Sequence, residues 1–249
     1  MLSAVIITKN EANTIARVLK PLQSLTNDIV VIDSNSTDRT IEICKAHGAR
    51  VIQQEWLGFS ATKNFGHTQA KNPWILSVDA DEVISDELRH SLQNLQPKRD
   101  TVYALDRLTD LYGTPIYHSG WYPDWKIRVF QRDDVRWEGD FVHETLCVPK
   151  DFRVVKLSGK LFHHSYKNAE DHLRHIDRYA RLAAEEMYAR GKKPNFVNLH
   201  LAPPFRWFKT YILKRGFLDG KAGKIIAQRD AHFVRLKYRL LREIIQGKE

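Results

Sequence analysis

The sequence predicts an α/β fold built on a mostly parallel sheet, with an antiparallel extension and a helical C-terminal region. In the first 100 residues, short apolar runs rich in β-branched residues alternate with segments of helical periodicity, as in parallel sheets covered by helices. After residue 100, apolar and polar residues alternate between turn signals, which is typical of antiparallel strands. From residue 166 onward helical periodicity returns, in a basic context.

The first half contains four predicted strands, each an apolar run followed by polar residues. The helix after the first strand shows helical spacing of Ile15, Val18 and Leu22. The second helix begins near residue 38, where Ser36 or Thr37 is the expected cap, and it stops at a glycine. A third helix is predicted over 60–70. The four strands are predicted at 2–8, 29–32, 50–52 and 74–78.

The second half divides into an antiparallel part and a helical part. Helical spacing predicts a helix over 166–190 and a basic amphipathic helix over 231–247, and Pro203-Pro204 is expected to break the aromatic segment between them. We therefore predict one domain over 1–165 and a C-terminal helical region over 166–249. Within the domain, the parallel part covers 1–100 and the antiparallel part covers 101–165.

Composition indicates a globular chain in a reducing compartment. Of its 249 residues, 43% are hydrophobic, which suffices for a large core. The two cysteines, Cys44 and Cys147, are far apart, so neither a disulfide framework nor a zinc site on them is expected. The N-terminal apolar run is short and lacks a basic stretch before it, so we expect no signal peptide and a cytoplasmic location.

The net charge of +9 is concentrated at the C-terminal end. Residues 201–249 contain 12 Lys+Arg and 4 Asp+Glu, whereas the other 200 residues contain 27 and 26. A basic segment on a neutral body predicts a polyanionic partner, such as a membrane surface, a nucleic acid or an acidic glycolipid.

Polar loops follow three of the predicted strands, at 8–11, 33–36 and 79–82. The carboxyl ends of parallel strands share one edge of a sheet, where ligands of such folds bind. Carboxylates there suit a hard divalent cation, which in turn binds phosphates. The alternative is that the acids of 79–82 only precede a helix start at Ser85.

Three further side chains near this edge have both a functional and a structural interpretation. Asp33 suits the N3–H of a uracil but also an Asx turn. Lys63 and Asn64, on the helix before the fourth strand, are within reach of a base or phosphate, or they belong to the solvated surface.

Four blocks of the N-terminal half resemble family 2 glycosyltransferases, which have the Rossmann-like GT-A fold. Three further blocks resemble a narrower branch, the lipopolysaccharide core glycosyltransferases, including inner-core β-1,4-glucosyltransferases that act on heptose. The first set is AVIITKNEANTI, VVIDSNSTDRT, KNFG and ILSVDADE, and the second is GDFVHETL, HHSY and YILKRGFLDGKAG.

The resemblance implies an inverting transfer of a sugar, glucose first among the candidates, from a UDP-sugar to a heptose or similar sugar. It makes 1–100 the nucleotide-binding half of the domain and 101–165 the acceptor half. It implies Mg²⁺ or Mn²⁺ as cofactor, held by Asp81 and by His163 or His164. Glu144 is the first choice for the general base and Asp140 the second. The implied donor-binding residues are Thr8, Lys9, Asn10, Glu11, Asp33, Lys63, Asn64, Asp79 and Ala80.

The resemblance also gives the basic C-terminal region a use. The implied acceptor is a lipid-linked lipopolysaccharide core, and the implied location is peripheral, on the cytoplasmic face of the inner membrane, against anionic lipid. A polyprenyl phosphate acceptor is the first alternative. A basic nucleic-acid-binding protein is a remote one, because no nucleic-acid module is recognisable and no such partner is expected.

Overall fold

The computed structural model describes residues 1–139 and 144–247, and these form two compact units. Of the described residues, the first unit comprises those within 1–107 and 124–163, and the second comprises those within 108–123 and 164–247. The domain boundaries predicted above stay a prediction.

Four parallel strands form the first part of the sheet in the first unit. They are β1 (Leu2–Thr8), β2 (Ile29–Asp33), β3 (Arg50–Gln53) and β4 (Trp74–Asp79). β1 lies between β2 and β4, and β3 pairs with β2, so the order is β3-β2-β1-β4. β1, β2 and most of β4 are buried, as expected for parallel strands covered on both faces.

Helices follow these strands as the sequence predicts. They are α1 (Ile15–Gln23), α2 (Thr40–Ala46), α3 (Phe59–Thr68) and α4 (Asp86–Gln93). In α1, Ile15, Val18, Leu19 and Leu22 are all buried, so the predicted apolar face packs into the core. α4 begins after Ser85, whose hydroxyl accepts a hydrogen bond from the Leu88 amide.

Antiparallel strands extend the sheet beyond β4. A short strand β5 (Glu82–Ile84) follows β4, and the later strands are β6 (Thr101–Leu111), β7 (Thr114–Pro115), β8 (Trp125–Gln131) and β11 (Arg153–His163). The sheet continues from β4 in the order β8-β6-β11-β5, and β7 pairs with the end of β6. β9 (Arg136–Glu138) and β10 (Thr145–Cys147) form a separate two-stranded ladder.

The second unit is mainly helical. Its long helices are α5 (Ala169–Ala189) and α7 (Gly220–Ile245), which pack together through Ala180, Ala184, Leu240 and Leu241. Between them lie two π-helical segments, Val197–Leu201 and Lys209–Leu213, on either side of α6 (Ala202–Phe208), and a short 3₁₀ helix, Gly216–Asp219.

Two predictions about the helices were wrong. Pro203 and Pro204 do not interrupt the helical stretch, because they occupy the first turn of α6, where a missing N–H costs little. The last helix begins at Gly220, eleven residues before the predicted start. Gly223 approaches the Gly216 carbonyl too closely for a side chain, so this glycine serves helix packing.

Neither Ser36 nor Thr37 caps α2 by a side-chain bond, since the helix starts at Thr40. Within 1–139 and 144–247, none of the helices combines the length and the hydropathy needed to span a bilayer.

Candidate active site

Three of the predicted site residues end neighbouring parallel strands. Thr8 of β1 is in register with Asp33 of β2, and Ile7 of β1 is in register with Asp79 of β4. The strand register therefore places Thr8, Asp33 and Asp79 side by side at the carboxyl edge of the sheet, as the sequence predicts.

Asp33 is fully buried and closes the turn that follows β2. One carboxylate oxygen accepts a hydrogen bond from the Ser36 amide at 2.8 Å, and the other accepts from the Ser36 hydroxyl. Both hydrogen bonds come from the residue three positions along the chain, whereas the Asx turn that the sequence allowed as the alternative bonds the residue two positions along. Contact between Asp33 and a nucleobase stays a prediction.

The loop after β1 is bound to the loop after β2. The Asn10 amide donates to the Ser36 hydroxyl at 2.8 Å, and the Asn10 side-chain oxygen accepts from the Thr37 amide at 2.8 Å. Glu11 accepts a 2.6 Å hydrogen bond from the Thr14 hydroxyl, and Lys9 is exposed. The predicted donor loop is thus held rigidly by its neighbour.

Lys63 is buried and connects two of the predicted site carboxylates. Its ammonium lies 2.6 Å from Oε1 of Glu144 and 3.1 Å from Oδ1 of Asp79. The same nitrogen lies 4.5 Å from the centre of the Trp137 ring. Lys63 therefore contacts protein carboxylates and is not part of the solvated surface. Its contact with a base or phosphate of the donor stays a prediction.

Asn64 binds the backbone of β9. Its side-chain nitrogen donates to the Trp137 carbonyl at 2.8 Å, and its oxygen accepts from the Trp137 amide at 3.0 Å. Both ends of the Asn64 amide are used in this pair, so α3 fixes the strand that leads toward Glu144.

Arg128 is a site residue that the sequence analysis missed. It is 3% exposed, and its Nη2 lies 2.6 Å from Oδ2 of Asp79 and 2.6 Å from Oε1 of Glu82. Arg107 adds a 3.4 Å contact to Glu82. An arginine within the apolar run of β8 was the available signal, because a buried guanidinium requires a buried acid.

These cations explain why carboxylates crowd at the end of β4. Burial of Asp79 opposes its charged form, but the charges of Arg128 and Lys63 outweigh burial and hold the pKa of Asp79 well below its usual range. Burial likewise opposes the charge of Arg128, yet Asp79 and Glu82 raise its pKa above the usual value. The ion pairs keep Asp79 ionised throughout the physiological pH range.

Asp81 faces a histidine. β11 pairs with β5 so that His163 is opposite Glu82, and Nε2 of His163 lies 3.3 Å from Oδ2 of Asp81. Ala80, between the two aspartates, is buried. His164 instead contacts the Asp110 carboxylate through Nδ1. The two adjacent histidines therefore have different partners, as successive residues of an extended strand do.

The residues around Asp81 fit a divalent cation only as part of its coordination shell. Among the described residues, no group of three His, Cys, Asp or Glu side chains converges on one point. A carboxylate and an imidazole nitrogen nevertheless provide two donors 3.3 Å apart. Mg²⁺ in nucleotide sites typically takes one or two protein ligands and completes its shell with phosphate oxygens and water.

Three buried side-chain oxygens at this edge make no hydrogen bond among the described residues. Within the part of the chain that the structure describes, the Thr8 hydroxyl, the Ser34 hydroxyl and Oε2 of Glu144 are buried without a hydrogen-bond partner. Unsatisfied buried polar atoms are uncommon in proteins and often indicate a ligand site. Asp140, the second choice for the base, lies outside the described residues.

The comparisons with known proteins define the class first. Residues 3–147 match the model for glycosyl transferase family 2, which is more than half of the chain. An uncharacterised glycosyltransferase of Rickettsia typhi is 30% identical, over 94% of this chain and 85% of that protein. The protein is a glycosyltransferase, and the chain belongs to glycosyl transferase family 2. Membership in this family confirms the predicted GT-A fold class.

Two further similarities are to a relative with a more specific name and to a solved structure of low sequence identity. The lipopolysaccharide core biosynthesis glycosyltransferase LpsC of Rhizobium meliloti is 26% identical over 91% of this chain and 88% of its own length. This similarity confirms the resemblance to the lipopolysaccharide core branch. The solved structure of S. aureus TarS 1-349 is 15% identical, covering 99% of this chain and 91% of that chain, with a TM-score of 0.45.

Proposed function

We propose that this glycosyltransferase moves a sugar, glucose first among the candidates, from a UDP-sugar to a heptose or similar sugar of the lipopolysaccharide core. The reaction inverts the anomeric centre and depends on Mg²⁺ or Mn²⁺. The observation that carries the proposal is the carboxyl edge of the sheet, where Asp79, Lys63 and Glu144 form one connected ionic group. The lipopolysaccharide core branch supplies the acceptor class.

The donor would bind along the ends of β2, β1 and β4. The unpartnered hydroxyls of Thr8 and Ser34 are suited to polar atoms of the nucleoside. Asp79 has one oxygen on Lys63 and the other on Arg128, and its side chain is 27% exposed. A rigidly held, ionised carboxylate of this kind suits the ribose hydroxyls.

Asp81 and His163 would hold the cation. When bound, the cation neutralises the negative charge that develops on the departing UDP. Asp81 is 33% exposed and His163 16% exposed, so both donors are accessible to a nucleotide diphosphate while remaining fixed by β5 and β11.

Glu144 would accept the proton of the acceptor hydroxyl as that oxygen attacks the anomeric carbon. The Lys63 ammonium contacts Oε1 of Glu144, and Oε2 has no hydrogen-bond partner among the described residues. One carboxylate oxygen is therefore oriented by protein, and the other suits a hydroxyl. Asp140 is the second candidate.

The proposed acceptor is lipid-linked, which places the enzyme on the cytoplasmic face of the inner membrane, in contact with anionic lipid. The net charge of +8 over residues 201–249 supports this location.

Product analysis tests the proposal. UDP-[¹⁴C]glucose and a heptose-containing core acceptor are incubated with Mn²⁺, and the linkage of the product is determined by NMR. We expect a β-linked product, and a Glu144→Gln variant that still binds UDP but transfers about 10²–10⁴ times more slowly. Glu138→Gln, on an exposed position of β9, is the matched control and should transfer normally.

An α-linked product would contradict inversion, and full activity of Glu144→Gln would remove Glu144 as the base. Transfer to a polyprenyl phosphate that is insensitive to Glu144→Gln would favour the alternative acceptor, since a phosphate is already an anion.

A further inference from the structure

The helical stretch 197–213 of the second unit exposes its apolar side chains. Val197, Leu201, Phe205, Phe208 and Ile212 are between 40% and 60% exposed. Their spacing of four, four, three and four residues places them on one face of a helix. We call these five residues the apolar stripe. An ordinary surface helix buries such a face and exposes the polar one.

The opposite face of this stretch is fixed to α7. Pro203 and Thr210 are buried, and the Thr210 hydroxyl donates to the Asp230 carboxylate at 2.7 Å. Nε of Arg206 donates to the same carboxylate at 2.9 Å. Because the polar residues are held inward by α7, the apolar stripe faces away from the second unit.

Neighbouring side chains enlarge the apolar surface at both ends. Phe196 is 69% exposed before the stripe, and Leu213, Phe217 and Leu218 are 60%, 47% and 55% exposed after it. Trp207 and Tyr211 are only partly exposed, and their ring centres are 4.9 Å apart. A surface of this apolar extent usually marks a membrane or protein interaction site.

The flanks of the stripe are strongly basic. Residues 192–224 contain eight Lys+Arg and a single acid, Asp219. The side chain of that acid is 2% exposed and accepts hydrogen bonds from the His118 amide and the Ser119 hydroxyl, so it adds little to the surface charge. Lys209 and Arg215, within and just after the stretch, are exposed.

We propose that the apolar stripe inserts into the headgroup region of an anionic lipid bilayer, with helix 197–213 parallel to the membrane plane. Exposed aromatic and aliphatic side chains bordered by lysine and arginine are the features of such interfacial helices. Charge selects lipid over a second copy of the chain, because two basic surfaces repel each other and an anionic bilayer attracts both. The inference deepens the proposed membrane location by naming its contact surface, and it rests on that location but on no step of the reaction.

Vesicle flotation tests the stripe without donor or acceptor. The full chain is floated with phosphatidylcholine vesicles and with vesicles of phosphatidylcholine and phosphatidylglycerol at 3:1. We expect binding to the anionic vesicles that weakens but persists at 0.5 M NaCl, because salt screens charge and leaves apolar insertion intact. Phe205→Ser/Phe208→Ser should reduce the partition coefficient at least about tenfold.

Tyr188→Ser is the matched control, since Tyr188 is 53% exposed on α5, outside the stripe, and this change should leave partitioning unaltered. Because Phe205 and Phe208 are exposed, the double variant should keep the melting temperature of the parent chain, which is measured in parallel.

Equal partitioning of the double variant and the parent would overturn the proposal. A change from dimer to monomer in the double variant, without a change in vesicle binding, would also overturn it and assign the stripe to a second copy. UDP binding, measured separately on the same variants, reports on the proposed reaction independently of either outcome.

Discussion

At the residue scale, only one of the two adjacent histidines lies at the proposed metal site. His163 lies beside Asp81, whereas His164 contacts Asp110. We expect His163→Ala to weaken Mn²⁺-dependent UDP binding about 10–100-fold, the usual effect of losing a group at a metal site.

His164→Ala is the matched control, because it removes the same side chain one position along the chain. Calorimetric titration of UDP with and without Mn²⁺ gives the answer. Equal effects of the two substitutions would contradict the assignment of His163 to the metal.

At the scale of elements, Arg128 connects β8 to the end of β4. Arg128→Met would leave Glu82, which is fully buried, with the 3.4 Å contact to Arg107 and the hydrogen bond from the Asp79 amide. We expect the free energy of unfolding to fall by about 3 kcal/mol, the lower end for an uncompensated buried charge, because Asp79 keeps Lys63 and is partly exposed.

Denaturant unfolding provides the measurement. Arg89→Met removes the exposed pair with Asp86 and should cost at most about 1 kcal/mol. Adding Glu82→Gln to Arg128→Met should restore part of the lost free energy of unfolding. A further decrease would show that Arg128 does not compensate the buried charge of Glu82.

The contact between β11 and α4 depends on Gly159. This glycine has φ +95°, and a Cβ there would collide with the Leu88 backbone. Gly58, at φ +94°, has open space around it. Gly58→Ala should therefore cost about 1–3 kcal/mol for its backbone conformation alone, and Gly159→Ala about 2 kcal/mol more for overpacking. Equal losses in denaturant unfolding would argue against the close packing.

The sequence predicts the strands and the shared polar edge because both depend on local periodicity. It cannot predict that Lys63 meets Glu144, since 81 residues separate them and their contact depends on how β9 lies against α3. The partners of Arg128 are unpredictable for the same reason, since Asp79 and Glu82 are 49 and 46 residues away along the chain. The early start of α7 was missed because Gly223 serves packing, which no local propensity reveals.

At the scale of the whole molecule, each unit contains a buried neutral histidine. Burial, and then the charge of Lys63, lowers the pKa of His67 to about 4. Burial, and then Arg229 and His175, lowers the pKa of His172 to about 4. Both rings are uncharged in the folded state at neutral pH.

Acid should therefore destabilise both units before the carboxylates titrate. An unfolded histidine binds its proton near pH 6.5, whereas the folded one does so near pH 4, so the unfolded state binds more protons between these values. The contribution of each neutral histidine to the free energy of unfolding is fully present above about pH 6.5. It decreases toward pH 4, by up to about 3 kcal/mol per histidine.

Unfolding free energies measured between pH 8 and 4 test this expectation. His67→Gln and His172→Gln should each flatten the pH dependence, and an unchanged slope in both variants would contradict it.

The central claim is that the carboxyl edge of β2, β1 and β4 binds a UDP-sugar through a cation held by Asp81. The most direct test is the melting temperature of the chain and of Asp81→Asn with a panel of nucleoside diphosphates, with and without Mn²⁺. A ligand at 100 times its Kd adds about 2.7 kcal/mol of stability, which is an easily measured shift. We predict a rise that is selective for UDP, requires Mn²⁺ and disappears in Asp81→Asn. The claim would be contradicted if no nucleotide raised the melting temperature, or if the rise persisted in Asp81→Asn.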